Sequence, residues 1–290
     1  MLLYYNGDSF AAGTELADEI LPDYPGCHPL SLDTETSDIR KRRREWVGNS
    51  KKPSHPLNKL KMSMITEIRK LELERAYPNL VHNMTGIPYI NKSLGGSSMD
   101  RIVRVTIADL IKLKKDDPNR KLVAFICTTY MERSEMPNNL PPQTDIHGEP
   151  MDWASVSFNF RQYDHDQIIE NIKRYKALFE TTYHSMVNFY KNVILIQDYC
   201  KLNDVDLYWI TARENIRREV DRRDEQYKDR TDLVALMDYA NIEPAINMMD
   251  IANNELDGQD VLCPGGHFSQ IVHDRTAEKI IDIIKGKNNV

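Results

Sequence analysis

Three short stretches of this 290-residue chain hold the residue types that acyl transfer needs. The first is Gly7-Asp8-Ser9-Phe10-Ala11-Ala12-Gly13, directly after the apolar run Leu2-Leu3-Tyr4-Tyr5. Such a run predicts a buried strand, which leaves Asp8 and Ser9 at its carboxyl end, the edge where open α/β sheets bind ligands. A serine there is placed to act as a nucleophile if a base takes its proton and backbone amides hold the oxyanion. The base candidate is His267, in Cys263-Pro264-Gly265-Gly266-His267-Phe268-Ser269, a glycine-rich loop ahead of the last predicted helix. The amide candidate is Gly96, within Asn91-Lys92-Ser93-Leu94-Gly95-Gly96-Ser97-Ser98. That segment opens a helix, so its N–H groups point outward at the positive end of the dipole. Asp8 is expected to cap its own turn or the following helix, and His273 to be structural.

The elements that must position these residues follow from apolar spacing and breakers. Strands are predicted over 2–5, 88–91, 122–127 and 206–211. Helices are predicted over 11–20, over 60–77 (ending before Pro78), over 98–115 (capped by Ser97 or Ser98), over 166–203 as one long helix or a bent pair, and from about 270 to 285. Residues 21–57 and 130–162 lack any sustained period and read as insertions. Strands alternating with helices, without hairpin signals, imply a parallel sheet with helices on both faces, in a single α/β domain spanning 1–290.

Composition narrows the function classes. The net charge of −6 makes no global case for nucleic acid, but residues 39–75 hold twelve Lys/Arg against four Asp/Glu. Within that stretch Arg40, Lys41, Arg42, Arg43 and Arg44 form either a phosphate-contacting patch or a solvated loop. The four cysteines show no CxxC spacing, and His147 and His165 lack partners at ligand spacing, so no metal site is expected. No signal-like or membrane-length apolar run is present, which predicts a cytoplasmic protein without a membrane partner. Nothing in the sequence indicates an oligomeric state.

The chain resembles the SGNH (GDSL) hydrolases. Gly7-Asp8-Ser9 with Gly13 is similar to that family's first block, Asn91-x-Ser93-x-x-Gly96 to its second, and His267-x-Ser269-x-x-x-His273-x-x-x-Ala277 to its last. The resemblance implies a three-layer, flavodoxin-like parallel sheet and a serine esterase that needs no cofactor, acting on a small acyl ester, most simply an O-acetyl ester. It implies Ser9 as nucleophile, His267 as base, and the Ser9 and Gly96 amides as oxyanion donors. Two positions depart from the pattern. Where the family supplies an asparagine after the central strand, this chain has Cys127-Thr128-Thr129-Tyr130-Met131-Glu132-Arg133, with Thr129 as the substitute donor. Where it supplies an aspartate three residues before the histidine, this chain has Pro264, leaving Asp257, Asp260 or a backbone carbonyl to orient His267. Similar threonine- and arginine-bearing variants occur among SGNH-like proteins of tailed phages, which this chain resembles most; a phage origin implies the host cytoplasm. Two other readings stand beside the esterase: a binding protein that keeps the fold without its catalysis, and a transferase moving an acyl or related group onto a modified nucleotide or nucleic acid.

Overall fold

A computed structural model describes residues 1–14, 16–19, 62–137, 147–148, 153–156, 182–212, 230–240, 242–256, 259, 261–263 and 267–288. The architecture is mixed α/β, with a five-stranded parallel sheet flanked by helices. Its strands are β1 (Leu2–Asn6), β2 (Tyr89–Asn91), β3 (Leu122–Cys127), β6 (Val205–Thr211) and β7 (Ile246–Asn247). They run side by side in the order β2-β1-β3-β6-β7, every pair parallel. Counted within the sheet this is the 2-1-3-4-5 order of flavodoxin-like folds, the fold that the family resemblance implies, with its switch point beside β1.

The chain divides into two compact units. The first, Met1–Asp8 with Ile87–Met249, contains the whole sheet together with α3 (Met99–Asp116), α4 (Thr182–Leu202) and α5 (Thr231–Tyr239). One face of its sheet packs on two helices: Leu2 and Tyr4 of β1, Leu122, Ala124 and Ile126 of β3, and Val205 and Trp209 of β6 meet Ile102 and Leu110 of α3 and Phe189, Val193 and Ile196 of α4. The opposite face has an aromatic ladder crossing four strands. Tyr89 meets Tyr5 edge-on at 6.2 Å between centroids, Tyr5 stacks on Phe125 at 5.5 Å, and Phe125 stacks on Tyr208 at 5.1 Å. Because both faces are apolar, β1 and β3 read as unbroken hydrophobic runs, the pattern of a buried parallel strand.

The second unit, Ser9–Gly86 with Asp250–Val290, contains a 3₁₀ turn (Leu16–Glu19), α1 (Met62–Arg75), α2 (Tyr77–Thr85), a π-helical turn (Ile251–Glu255) and α6 (Gln270–Asn288). Here the structure corrects two predicted helices. Within the predicted helix 11–20, residues 11–14 form turns and residues 16–19 the 3₁₀ turn, because Gly13 sits in the left-handed region at φ +68 and stops helix propagation. The stretch 60–77 is followed by a second helix. Pro78 cannot continue α1, yet at the first turn of α2 its missing N–H costs nothing, so the chain breaks at Ala76 (φ −69, ψ 152) and starts again.

Two further features had no sequence signal. An antiparallel pair, β4 (Ser134–Pro137) with β5 (Trp153–Val156), lies inside the 130–162 insertion; its strands are too far apart in sequence to leave a hairpin turn signature. The short α5 and two-residue β7 fall below the length at which periodicity can be read. The 21–57 insertion lies outside the described residues.

Candidate active site

The carboxyl edge of the sheet in the first unit is assembled from the loops after β1, β2 and β3. Asn6, fully buried, ends β1 and pins it. Its Nδ2 donates to the Ile102 carbonyl at 3.1 Å and to Thr106 Oγ1 at 3.0 Å, both on α3, while its Oδ1 accepts from the Gly7 amide at 2.9 Å. Asn6-Gly7 is thus a strand end anchored to a helix.

After β2, the Asn91 side chain accepts from the Ser93 amide at 3.0 Å, and the Leu94 amide donates to the Gly7 carbonyl at 3.1 Å, joining this loop to the one after β1. Gly96 has φ +84, a conformation that a residue with a Cβ adopts only at a cost. Ser98 caps α3, its hydroxyl accepting from the Arg101 amide at 3.3 Å. The buried Arg101 donates through Nη1 to the Lys92 carbonyl at 3.1 Å and to Ser97 Oγ at 3.3 Å, bracing both ends of the loop. From the 130–162 insertion, His147 Nε2–H donates to the Ser93 carbonyl at 2.8 Å.

The third loop supplies an ion pair. Asp8 is buried, and its Oδ2 accepts from Arg133 Nη1 at 3.0 Å and from the Thr129 hydroxyl at 2.9 Å. The same two donors reach the Ser97 carbonyl, Thr129 at 3.0 Å and Arg133 at 3.3 Å, and Arg133 Nη1 also lies 2.9 Å from Thr129 Oγ1. Tyr130 lies under the guanidinium at 4.6 Å from its ring centroid. Asp8 was expected to cap a turn or a helix; its carboxylate is the anionic centre of this cluster. Thr129, the candidate oxyanion donor, has a single hydroxyl proton, and both acceptors within its reach belong to Asp8 and Ser97. Neighbouring Cys127 is fully buried, and its thiol is pushed up first by burial and second by the Asp8 charge.

The second unit holds Ser9 and His267. Ser9 is buried in a turn closed by the Thr14 amide donating to its carbonyl at 3.0 Å. Gly13 lets this turn lie against α1: a Cβ there would come within 2.7 Å of the Glu72 carbonyl oxygen and 2.9 Å of Ala76 Cβ. The histidine loop is pinched shut at its base. Leu262 and Phe268 form an antiparallel bridge, the Cys263 amide donates to the His267 carbonyl at 2.7 Å, and the Ser269 amide donates to the Val261 carbonyl at 3.0 Å. The Ser269 carbonyl then accepts the first amides of α6.

Phe10, the residue after Ser9, joins the two segments. Its ring centroid lies 5.1 Å from the imidazole of His267 and 5.4 Å from the ring of Phe268. His273, one turn into α6, is buried, stacks on Tyr77 and accepts the Tyr77 amide on Nδ1 at 3.3 Å. Burial, followed by the charges of His267 and Arg75, pulls its pKa down to about 3, so it is a neutral packing residue.

Ser9, Gly96, Thr129 and His267 are thus all described, whereas Pro264, Asp257, Asp260 and the basic run Arg40 to Arg44 lie outside the described residues. The sequence reading gave no role to Asn6, Phe10 or Arg133. Arg133 alone had a signal, as a basic residue in the loop that follows the apolar strand Leu122–Cys127 at a sheet edge. Among the described residues no cluster of His, Cys, Asp and Glu has a metal-binding arrangement, and no helix is long and apolar enough to cross a membrane.

No protein-family model matches the chain, and no curated protein matches it. Solved structures similar to it include a protein described as a lipolytic member of the G-D-S-L family from Desulfitobacterium hafniense DCB-2, at 10% identity and TM-score 0.43, covering 96% of this chain and 97% of that one. A second is the psychrotrophic esterase EstA from Pseudoalteromonas sp., inhibited by monoethylphosphonate, at 10% identity and TM-score 0.41, covering 100% and 99%. A third is a carbohydrate esterase whose active site displays divergent catalytic and non-catalytic binding functions, at 13% identity and TM-score 0.42, covering 98% and 68%.

Proposed function

We propose that this chain is a serine esterase of the SGNH type, hydrolysing a small acyl ester, most simply an O-acetyl ester. The observation that carries the reading is the contact between Phe10 and His267. A serine two residues beyond a strand's carboxyl-end turn is followed by a side chain that lies against an imidazole some 250 positions later. In this reading Ser9 Oγ attacks the acyl carbon while His267 takes its proton. The amides of Ser9 and Gly96 hold the oxyanion, and collapse breaks the ester C–O bond as His267 passes the proton to the leaving alcohol. Water, deprotonated by the same imidazole, then attacks the acyl-Ser9 ester and regenerates the hydroxyl.

The test is hydrolysis of p-nitrophenyl acetate by wild type and Ser9→Ala, with fluorophosphonate labelling located by mass spectrometry. The expected result is turnover and a label on Ser9 in the wild type and neither in the variant. Equal hydrolysis by both proteins would remove Ser9 as nucleophile.

One observation favours a second reading. The Thr129 hydroxyl is held by Asp8 and Ser97, in the position where the family supplies a donor amide, so one oxyanion donor is missing. A fold kept for binding would look like this. A properly folded wild type whose Ser9 does not react with the fluorophosphonate would select that reading.

A further inference from the structure

Arg133 has no counterpart in the reaction just described, yet it donates to the side chain or main chain of all three loops' key segments. From one nitrogen it reaches Asp8 Oδ2 after β1, the Ser97 carbonyl after β2 and Thr129 Oγ1 after β3. Two of these contacts, to the Asp8 side chain and to the Ser97 main chain, matter because of their neighbours. Asp8 is bonded through its peptide to Ser9, so the carboxylate's anchor sets the rotation of the plane that holds the Ser9 N–H. Ser97 follows Gly96, so fixing its carbonyl fixes the turn whose preceding residue stands at φ +84.

We propose that Arg133 is a positioning residue. By clamping Asp8 and Ser97 together it holds the Ser9 and Gly96 peptides in the orientation that oxyanion stabilisation requires. The inference rests on the esterase reading of Ser9. Thr129 is the second half of the same device: its proton serves Asp8 and Ser97, and its oxygen accepts from Arg133. This explains why a threonine and an arginine occur together after β3. An asparagine there would spend its amide on the substrate, whereas this pair spends its donors on the frame around it. The guanidinium is suited to the task because a single planar group can serve several acceptors at fixed angles, and the Tyr130 ring below it restricts its tilt.

A buried salt bridge can also be purely structural, and deleting one partner leaves a buried charge that can unfold the protein. The experiment therefore pairs Arg133→Met and Arg133→Lys with the doubly neutral variant Asp8→Asn/Arg133→Met. Each is assayed for urea midpoint, for kcat and KM on p-nitrophenyl acetate, and for the rate constant of Ser9 labelling by a fluorophosphonate. In the double variant the expected result is a urea midpoint close to wild type, kcat and the labelling rate down about 10²-fold, and KM within about threefold. In Arg133→Lys, which keeps the charge and one donor, kcat should recover at least about tenfold relative to Arg133→Met.

A stable double variant with wild-type kcat and labelling rate would overturn the proposal and leave Ser9 as nucleophile. A loss of kcat that tracks the urea midpoint across all three variants would also overturn it, reducing the pair to a structural role. A wild type in which Ser9 neither labels nor turns over would overturn both the proposal and the reading beneath it.

Discussion

Two candidate regions, one in each unit, are held by different physics. In the first unit, the edge around Asp8 is built from polar bonds between side chains: an ion pair, a shared hydroxyl and a braced arginine join three loops. In the second unit, the Ser9 turn and the histidine loop are built from steric fit, aromatic contact and main-chain hydrogen bonds. Polar clusters have sharp angular preferences and are sensitive to losing one partner. Packed apolar contacts tolerate changes of chemistry but resist changes of volume. The two halves should therefore fail in different ways: the first losing rate while the fold survives, the second losing stability wherever volume or burial is altered.

The largest effect should come from Ser9 and His267, the side chains proposed to react, both of which belong to the second unit. If Ser9 and His267 act as one device, His267→Ala lowers kcat on p-nitrophenyl acetate by about 10²–10⁴-fold, and adding it to Ser9→Ala costs nothing further. Multiplicative losses in the double variant would show that the two residues work independently.

The next test concerns volume alone. Gly13 and Gly86 have the same backbone angle, φ +68, in the same unit. A methyl group at Gly13 meets the Glu72 carbonyl at 2.7 Å, whereas one at Gly86 meets nothing within 4 Å. Both alanine variants bear the left-handed strain of about 1–2 kcal/mol. Only Gly13→Ala adds overpacking against α1, about 1–3 kcal/mol more. Urea midpoints should therefore fall for both and clearly further for Gly13→Ala. Equal shifts would mean that the Ser9 turn does not depend on close approach to α1, and the steric account of this half would fail.

How much of this was legible in the sequence depends on the range of each interaction. β1, β3 and α3 were readable because their signals are local: unbroken apolar runs, and a serine cap before an amphipathic stretch. The sheet order followed from the alternation of strands and helices together with the family resemblance. Ser9, Gly96 and His267 were readable as residues in short motifs. The partners of Asp8 were not. Thr129 and Arg133 lie more than 120 positions away, and no periodicity encodes which edge residue a carboxylate will find. Asp8 accordingly looked like a capping residue, the commonest use of an aspartate in a turn. Pro78 shows the converse error. A proline reads as a stop, but a first-turn proline is also a start, and only the dihedrals of Ala76 decide between them. Phe10 escaped notice because a single aromatic residue in a loop has no pattern of its own.

The smallest effect at neutral pH, and the one that grows on acidification, belongs to His273. Folding holds this imidazole neutral down to about pH 3, whereas the unfolded chain takes up the proton near pH 6.5. Below 6.5 the unfolded state therefore binds more protons, so the stability this residue contributes is complete above that pH and is lost as the pH falls towards 3. The slope is about 1.4 kcal/mol per pH unit within that window. In His273→Gln the amide oxygen can still accept the Tyr77 N–H, but nothing titrates. Its stability at pH 7 should be lower than wild type because ring stacking on Tyr77 is lost. Between pH 6.5 and 5, however, wild type should lose about 2 kcal/mol more than the variant, measured by urea unfolding at each pH. Parallel losses would mean that water reaches His273 in the folded protein, and that burial does not govern this half of the molecule as its packing implies.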